Sequence, residues 1–176
     1  ADEKELKTAF NDGQDIHTAV ASRTWGIKPE EIDSSLRSRA KMVSYGLAYG
    51  MEAYGLAQRL DIPVDEASEI LRAFFEAFPG IKEYMNESIE KARKKGYTET
   101  LLGRRRKIPE LLSNNFNVRQ AGERQAMNAP IQGLAADIFK IALLSIDQEL
   151  QKKSYKSALV LQVHDEVILE TAIEEI

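Results

Sequence analysis

Cysteine is absent from this 176-residue chain, which excludes disulfide scaffolds, thiolate zinc sites and cysteine nucleophiles. That absence fits a cytosolic protein. Histidine occurs only as His17 and His164, too sparsely for the several-histidine metal sites of phosphohydrolases. No apolar run approaches the ~18–20 residues needed to cross a bilayer, and the N-terminus lacks the apolar segment of a signal peptide. A basic excess is missing as well: the formal net charge is −4, which counts against a protein that merely coats nucleic acid. Internal repeats, low-complexity tracts and Gly/Ser linkers are not found.

What is present is ordinary soluble-protein composition, 43% hydrophobic and 30% charged, in a chain long enough for one domain with a sizeable core. Its basic residues come in clusters: Arg37, Arg39 and Lys41; Arg93, Lys94 and Lys95; Arg104, Arg105, Arg106 and Lys107. Each cluster alone fits a solvated face. The chain starts at Ala1 and stops just past an apparent strand, which suggests a segment of something longer.

Most of the chain reads helical. Asp15 caps a predicted helix from Ile16 to Trp25 closed by Gly26, and the Asp33-Ser34-Ser35 group leads into a long one from Leu36 to Gly50. A short helix to Leu60 follows, then one from Asp65 that Pro79-Gly80 ends, then one from Ile81 to Lys95. Tyr97 to Leu101 is β-prone, and Gly103 turns it back through the arginines. Helix returns from Val118 to Asn128, is expected to break near Pro130, and continues to Lys152. Ala158–Val163 and Val167–Leu169 then form a hairpin with His164, Asp165 and Glu166 at its turn.

The helix from Leu36 carries two stripes. At roughly 100° per residue, Leu36, Ala40, Val43 and Leu47 fall within about 60° of one another and form a core stripe. Arg37, Lys41, Tyr45 and Tyr49 line up on the other side. Gly46 and Gly50 thin the helix at ~1 kcal/mol each relative to alanine. Arg37 and Lys41 suit phosphate oxygens, and the two tyrosines offer ring faces to a base and sugar. Taken alone, the stripe also fits an amphipathic helix whose tyrosines pack on a neighbour.

The hairpin tip suits a hard cation, since Mg²⁺ takes one or two carboxylates plus waters and phosphates. Asp165 is the natural ligand, with Glu166 beside it and His164 able to donate to a phosphate. An isolated polar turn would look the same.

Together these segments resemble family A DNA polymerases over nearly the whole chain. The run from Arg37 to Gly50, with Arg37, Lys41, Tyr45-Gly46 and Tyr49-Gly50 in register, fits that family's motif B. Gln162-Val163-His164-Asp165-Glu166 fits motif C. Thr100 to Arg106, Arg124 to Gly133 and Asp15-Ile16-His17-Thr18 resemble further family stretches, all in family order and spacing.

The resemblance implies a mainly α (α+β) fold from a right-hand polymerase: a palm-to-fingers lead-in over 1–12, fingers over 13–112, and over 113–176 a partial palm with a long helix behind the motif C hairpin. It implies template-directed DNA synthesis by a two-metal mechanism in the parent protein, with Mg²⁺ as cofactor, primer–template DNA and dNTPs as partners, and a cytoplasmic, nucleoid-associated location. His17, Arg37 and Lys41 should contact the triphosphate, and Lys41 should serve as proton donor to pyrophosphate. Tyr45 should lie against the incoming sugar and base, and Tyr49 near the template base. Asp165 should hold the metals with Glu166 in support and His164 near the primer terminus. Arg124, Asn128 and Gln132 should face the duplex, through a minor groove whose acceptors vary little with sequence. Tyr45, where many relatives carry phenylalanine, implies acceptance of dideoxynucleotides.

The family's motif A, which supplies the other metal-binding aspartate, is not found here. The expectation is a fragment inactive by itself that needs the remaining polymerase segments (motif A, thumb). Its incomplete sheet should leave strand edges exposed. Alternatives are a non-catalytic nucleic-acid-binding module, against which Lys41 and Asp165 count, and a metal-dependent phosphohydrolase using His164 and Asp165.

Overall fold

The computed structural model describes residues 1–176 throughout. Its elements are mostly helical: α1 (Lys4–Asn11), α2 (Ile16–Trp25), α3 (Ser34–Ala48), α4 (Ala53–Leu60), α5 (Val64–Ala77), α6 (Pro79–Lys95) and α7 (Phe116–Lys152). Two small antiparallel ribbons accompany them, β1 (Tyr97–Glu99) with β2 (Arg105–Lys107), and β3 (Ala158–Val163) with β4 (Glu166–Glu170). Short 3₁₀ turns lie at Pro29–Glu31, Pro109–Leu112 and Ile173–Glu175. The fold is mainly α.

The chain divides into two compact units. One comprises 1–98 and 106–129; the other comprises 99–105 and 130–176.

In the first unit the helix boundaries follow local chemistry. Asp15 and Asp33 occupy the N-caps of α2 and α3, and each side chain accepts from a backbone N–H three residues on, at 2.8 and 2.7 Å, satisfying donors that a helix start leaves open. Gly26 and Gly96 close α2 and α6 in the left-handed conformation. Lys28–Pro29 leads into a 3₁₀ turn, and Pro79 takes the first position of α6, where its missing N–H costs nothing.

The main core lies between α2, α3, α4 and α5. Ala67, Ile70, Phe74 and Phe78 recur at helical spacing and are buried, as are Ala40, Val43 and Leu47 of α3 and Leu56 of α4. Phe74 packs on Phe78 with ring centres 5.0 Å apart. Burying a side chain such as Leu56 or Phe78 contributes about 1.5–3 kcal/mol, so this cluster fixes how α3 presents its other face. A smaller core gathers Ala92, Ile108, Leu111 and Ala126.

Several expectations change. α3 ends at Ala48, with Tyr49 as its C-cap and Gly50 left-handed at φ 69°. Pro130 does not break α7: the helix runs through it. Proline deletes one hydrogen bond and crowds one carbonyl, but here intact turns on both sides hold the helix together. α7 is also long and apolar enough, by length and composition alone, to cross a membrane, where the sequence reading found no such run. Asp137 in its middle is an ion-paired side chain.

In the second unit much of the apolar surface of α7 and of the hairpin is open to solvent. Ile138, Ile141 and Leu144 on the helix, and Val160, Leu161, Ile168 and Leu169 on the strands, are all exposed. The strands pair Val163 with Glu166 and Ala158 with Glu170, with a one-residue register shift between Leu159 and Leu161. Val160 therefore has no cross-strand partner, which makes it a bulge.

Candidate functional site

α2 and α3 bring one constellation together. The Asp15 carboxylate that caps α2 also accepts from the Thr18 hydroxyl at 2.9 Å. It then reaches α3: Arg37 Nε donates to Oδ1 at 2.9 Å and Nη2 donates to Oδ2 at 2.7 Å. Two parallel bonds fix the plane of the guanidinium as well as its position. Both side chains are more than 40% exposed (43% and 44%), so solvent screening keeps the pair's stabilisation small. Its importance is geometric. The Arg37 fork, followed by the Thr18 amide, holds the Asp15 carboxyl well below the usual carboxylate range.

His17 sits on the first turn of α2, facing α3. Its ring centre is 5.9 Å from that of Tyr45, tilted by 53°, and Lys41 Nζ stands 5.8 Å from the Tyr45 ring centre. Burial holds the His17 imidazole below its ordinary pKa; Asp15 pulls the other way, and Arg37 and Lys41 add to the lowering. The imidazole is therefore neutral at pH 7, and its buried Nδ1 has no hydrogen-bond partner. Tyr45 is about half exposed, and Tyr49, one turn on, is 57% exposed. His17, Arg37, Lys41 and Tyr45 thus form a cationic and aromatic patch on one face of the unit.

The end of α3 is held by α7. Asn128 Nδ2 donates to the Ala48 carbonyl at 3.0 Å, while its Oδ1 is buried without a partner. The stem of Arg124 lies against Gly50. The family resemblance assigns both residues to duplex contact; the Asn128 donor is engaged inside the unit, and Arg124 is the exposed one of the two.

The second unit holds the remaining residues singled out from sequence. His164 and Asp165 form the turn of the β3–β4 hairpin, with His164 left-handed at φ 54°. A non-glycine residue there is uncommon and costs ~1–2 kcal/mol. Gln162 Nε2 donates to the His164 carbonyl at 3.0 Å. Glu166 lies in β4, opposite Val163, not in the turn. His164, Asp165 and Glu166 are exposed, as is Gln132 on α7. No group of three or more acidic or histidine side chains is placed so that it could hold a metal ion.

Two polar hubs were not foreseen. One is the Asp15–Arg37 fork, for which the sequence offered only the helix cap. The other lies in the arginine loop: Asp137, 9% exposed, accepts from the Thr100 hydroxyl at 2.7 Å and from Arg104 Nε at 2.6 Å. Thr100 Oγ1 in turn accepts from the Arg104 amide at 3.1 Å. Gly133 lets the helix approach this loop, since a β-carbon there would come within 2.7 Å of Thr100 Cγ2. Arg105 pairs with Glu99 at 2.5 Å, and Arg106 donates to Gln125 at 3.0 Å. The basic run is largely paired within the chain.

A family model described as DNA polymerase family A matches residues 1–176. The chain is 52% identical over 167 residues to DNA polymerase I of Mycobacterium tuberculosis, covering 95% of this chain and 18% of that protein. It is 46% identical over 176 residues to DNA polymerase I of Geobacillus stearothermophilus, covering 100% of this chain and 20% of that protein. The chain thus spans about a fifth of the length of these curated relatives. Among solved structures, the POL domain of Pol1 from M. smegmatis, in complex with DNA primer-template and dNTP, superposes with a TM-score of 0.93 at 48% identity. That match covers 98% of this chain and 30% of the solved one.

Proposed function

The chain belongs to DNA polymerase family A, and on that premise we propose that it is the nucleotide-selecting part of an enzyme that extends a primer 3′-OH by template-directed deoxynucleotidyl transfer. The observation that carries this reading is the convergence of His17, Arg37, Lys41 and Tyr45 on one face of α2 and α3. Arg37 and Lys41 supply the cations for a triphosphate, and neutral His17 donates a hydrogen bond to it. Lys41 also passes a proton to departing pyrophosphate. The exposed Tyr45 ring takes the sugar and base of the incoming nucleotide, and Tyr49 takes the template side.

Primer–template DNA and dNTPs are the proposed partners, in line with the complex in which the solved relative is described. Arg124, Gln132 and His164 are the proposed DNA-facing residues. Asn128 is proposed to contribute through the end of α3 that its amide secures.

Asp165 and Glu166, adjacent hard-oxygen donors at an exposed tip, suit a Mg²⁺ that completes its shell with water and phosphate oxygens. Bound there, the ion would polarise the phosphoryl group and neutralise its charge. Two-metal transfer needs oxygens that bridge a pair of ions, more than the Asp165–Glu166 pair offers, and the 176-residue chain by itself is proposed to make no measurable DNA. Location in the cytoplasm, with the nucleoid, belongs to the same proposal.

Primer extension by the complete polymerase carrying this segment tests the reading. Lys41→Ala and Asp165→Asn should each abolish most synthesis while leaving the protein folded. Full activity in either variant would sink it.

A further inference from the structure

We propose that Asp15 is a positioning residue for triphosphate binding, holding the Arg37 guanidinium by one edge so that its other edge faces the nucleotide phosphates. This rests on the reading of Arg37 as a phosphate-binding group.

Three observations support a fixed anchor over a placeholder that leaves when nucleotide arrives. First, the carboxylate is not free to swing away: it caps α2 through the Thr18 amide at 2.8 Å and the Thr18 hydroxyl at 2.9 Å. Displacing it would leave open the helix donors that it now satisfies. Second, the fork uses only Nε and Nη2 of Arg37. A guanidinium has further N–H donors in the same plane, and these remain for a phosphate. Third, Asp15 and His17 share the start of α2, so the fork also sets His17 in register with Arg37 and Lys41 on α3. A long cationic side chain loses rotamer freedom on binding, and ordering it beforehand removes that cost from the binding step.

Charge alone argues the opposite way. A carboxylate beside a triphosphate repels it, so removing that charge should tighten binding if Asp15 were only a counter-ion. Asparagine separates the possibilities, because it caps a helix as well as aspartate does but cannot accept two charge-assisted bonds from one guanidinium.

The test is calorimetric titration of the full chain, unmodified and as Asp15→Asn, Asp15→Ser and Arg37→Ala, with inorganic triphosphate and with Mg·dATP. Thermal unfolding is recorded alongside, and serine, also a good N-cap, is the second variant should the asparagine protein unfold. The positioning role predicts that Asp15→Asn weakens binding roughly five- to tenfold despite its more positive site. It also predicts that the His17 imidazole, followed by NMR, titrates at lower pH once the pull of Asp15 is gone. Arg37→Ala should weaken binding at least as much. Weakening by Arg37→Ala together with unchanged or tighter binding by Asp15→Asn would overturn the proposal alone. Unchanged binding by Arg37→Ala would overturn the phosphate-binding reading of Arg37 and the proposal with it.

Discussion

The side-chain amide of Asn128 donates to the backbone carbonyl of Ala48 at 3.0 Å and so closes the C-terminus of α3. The last carbonyls of a helix have no intrahelical partner, and this one is supplied from α7, eighty positions along the chain. Asn128→Ala removes the donor and should cost about 1–3 kcal/mol of stability. Asn128→Asp should cost at least as much, because a carboxylate cannot donate and repels the carbonyl. Urea unfolding of both variants, fitted with a common slope, checks this.

Gly50 and Gly26 make a matched pair for a second measurement. Both are left-handed, at φ 69° and 66°. A β-carbon on Gly26 meets nothing within 4 Å, while one on Gly50 falls 2.6 Å from Arg124 Cγ and 2.7 Å from Met127 Cε. Gly26→Ala should therefore cost only the backbone strain, ~1–2 kcal/mol. Gly50→Ala should cost that plus ~1–3 kcal/mol of overpacking. Equal unfolding free energies for the two variants would contradict the close approach.

The His17 imidazole contributes a pH dependence whose sign is fixed by its lowered pKa. As pH falls through the ordinary histidine value near ~6.5, the unfolded chain takes up a proton before the folded chain does. Stability from this residue is thus full above about pH 6.5 and declines below it. His17→Gln should flatten that part of the stability profile between about pH 5 and pH 8. A profile unchanged by the substitution would show that the imidazole is not held neutral.

Tyr45 is the residue whose hydroxyl is proposed to bear on sugar selection. In the complete polymerase, Tyr45→Phe should sharpen discrimination against dideoxynucleotides, since a phenol can occupy the polar space otherwise filled by a sugar 3′-OH. Competitive incorporation of a dideoxynucleotide against its deoxy counterpart measures this, and an unaltered ratio would reject it.

Much of the first unit was legible because its signals are local. Asp15 and Gly26 bound α2 as read, and the α3 core stripe is buried at Ala40, Val43 and Leu47. Tyr45, Tyr49 and Lys41 opposite stand exposed, and Arg37 is partly so. What escaped was set by distance along the chain. Asp15 meets Arg37 across 22 positions and Thr100 meets Asp137 across 37, and no periodicity records which carboxylate a packed structure will bring to which donor. Pro130 was misjudged for a different reason: a local rule predicts a break, but a long helix tolerates one missing bond. The hairpin was read as to place, but its turn is tighter than expected, with Glu166 already paired.

Val160, the residue without a partner in β3, acts on the hairpin as an odd digit acts on parity. Side chains along a strand alternate between faces, so one extra residue reverses the alternation between Ala158–Leu159 and Leu161–Val163. A deletion of Val160 would leave the His164-Asp165 turn and the Val163–Glu166 pairing untouched while inverting the face on which the chain arriving from α7 enters the strand. The orientation of the carboxylate tip with respect to its own stem is thus encoded by a residue count and not by any side chain near the tip.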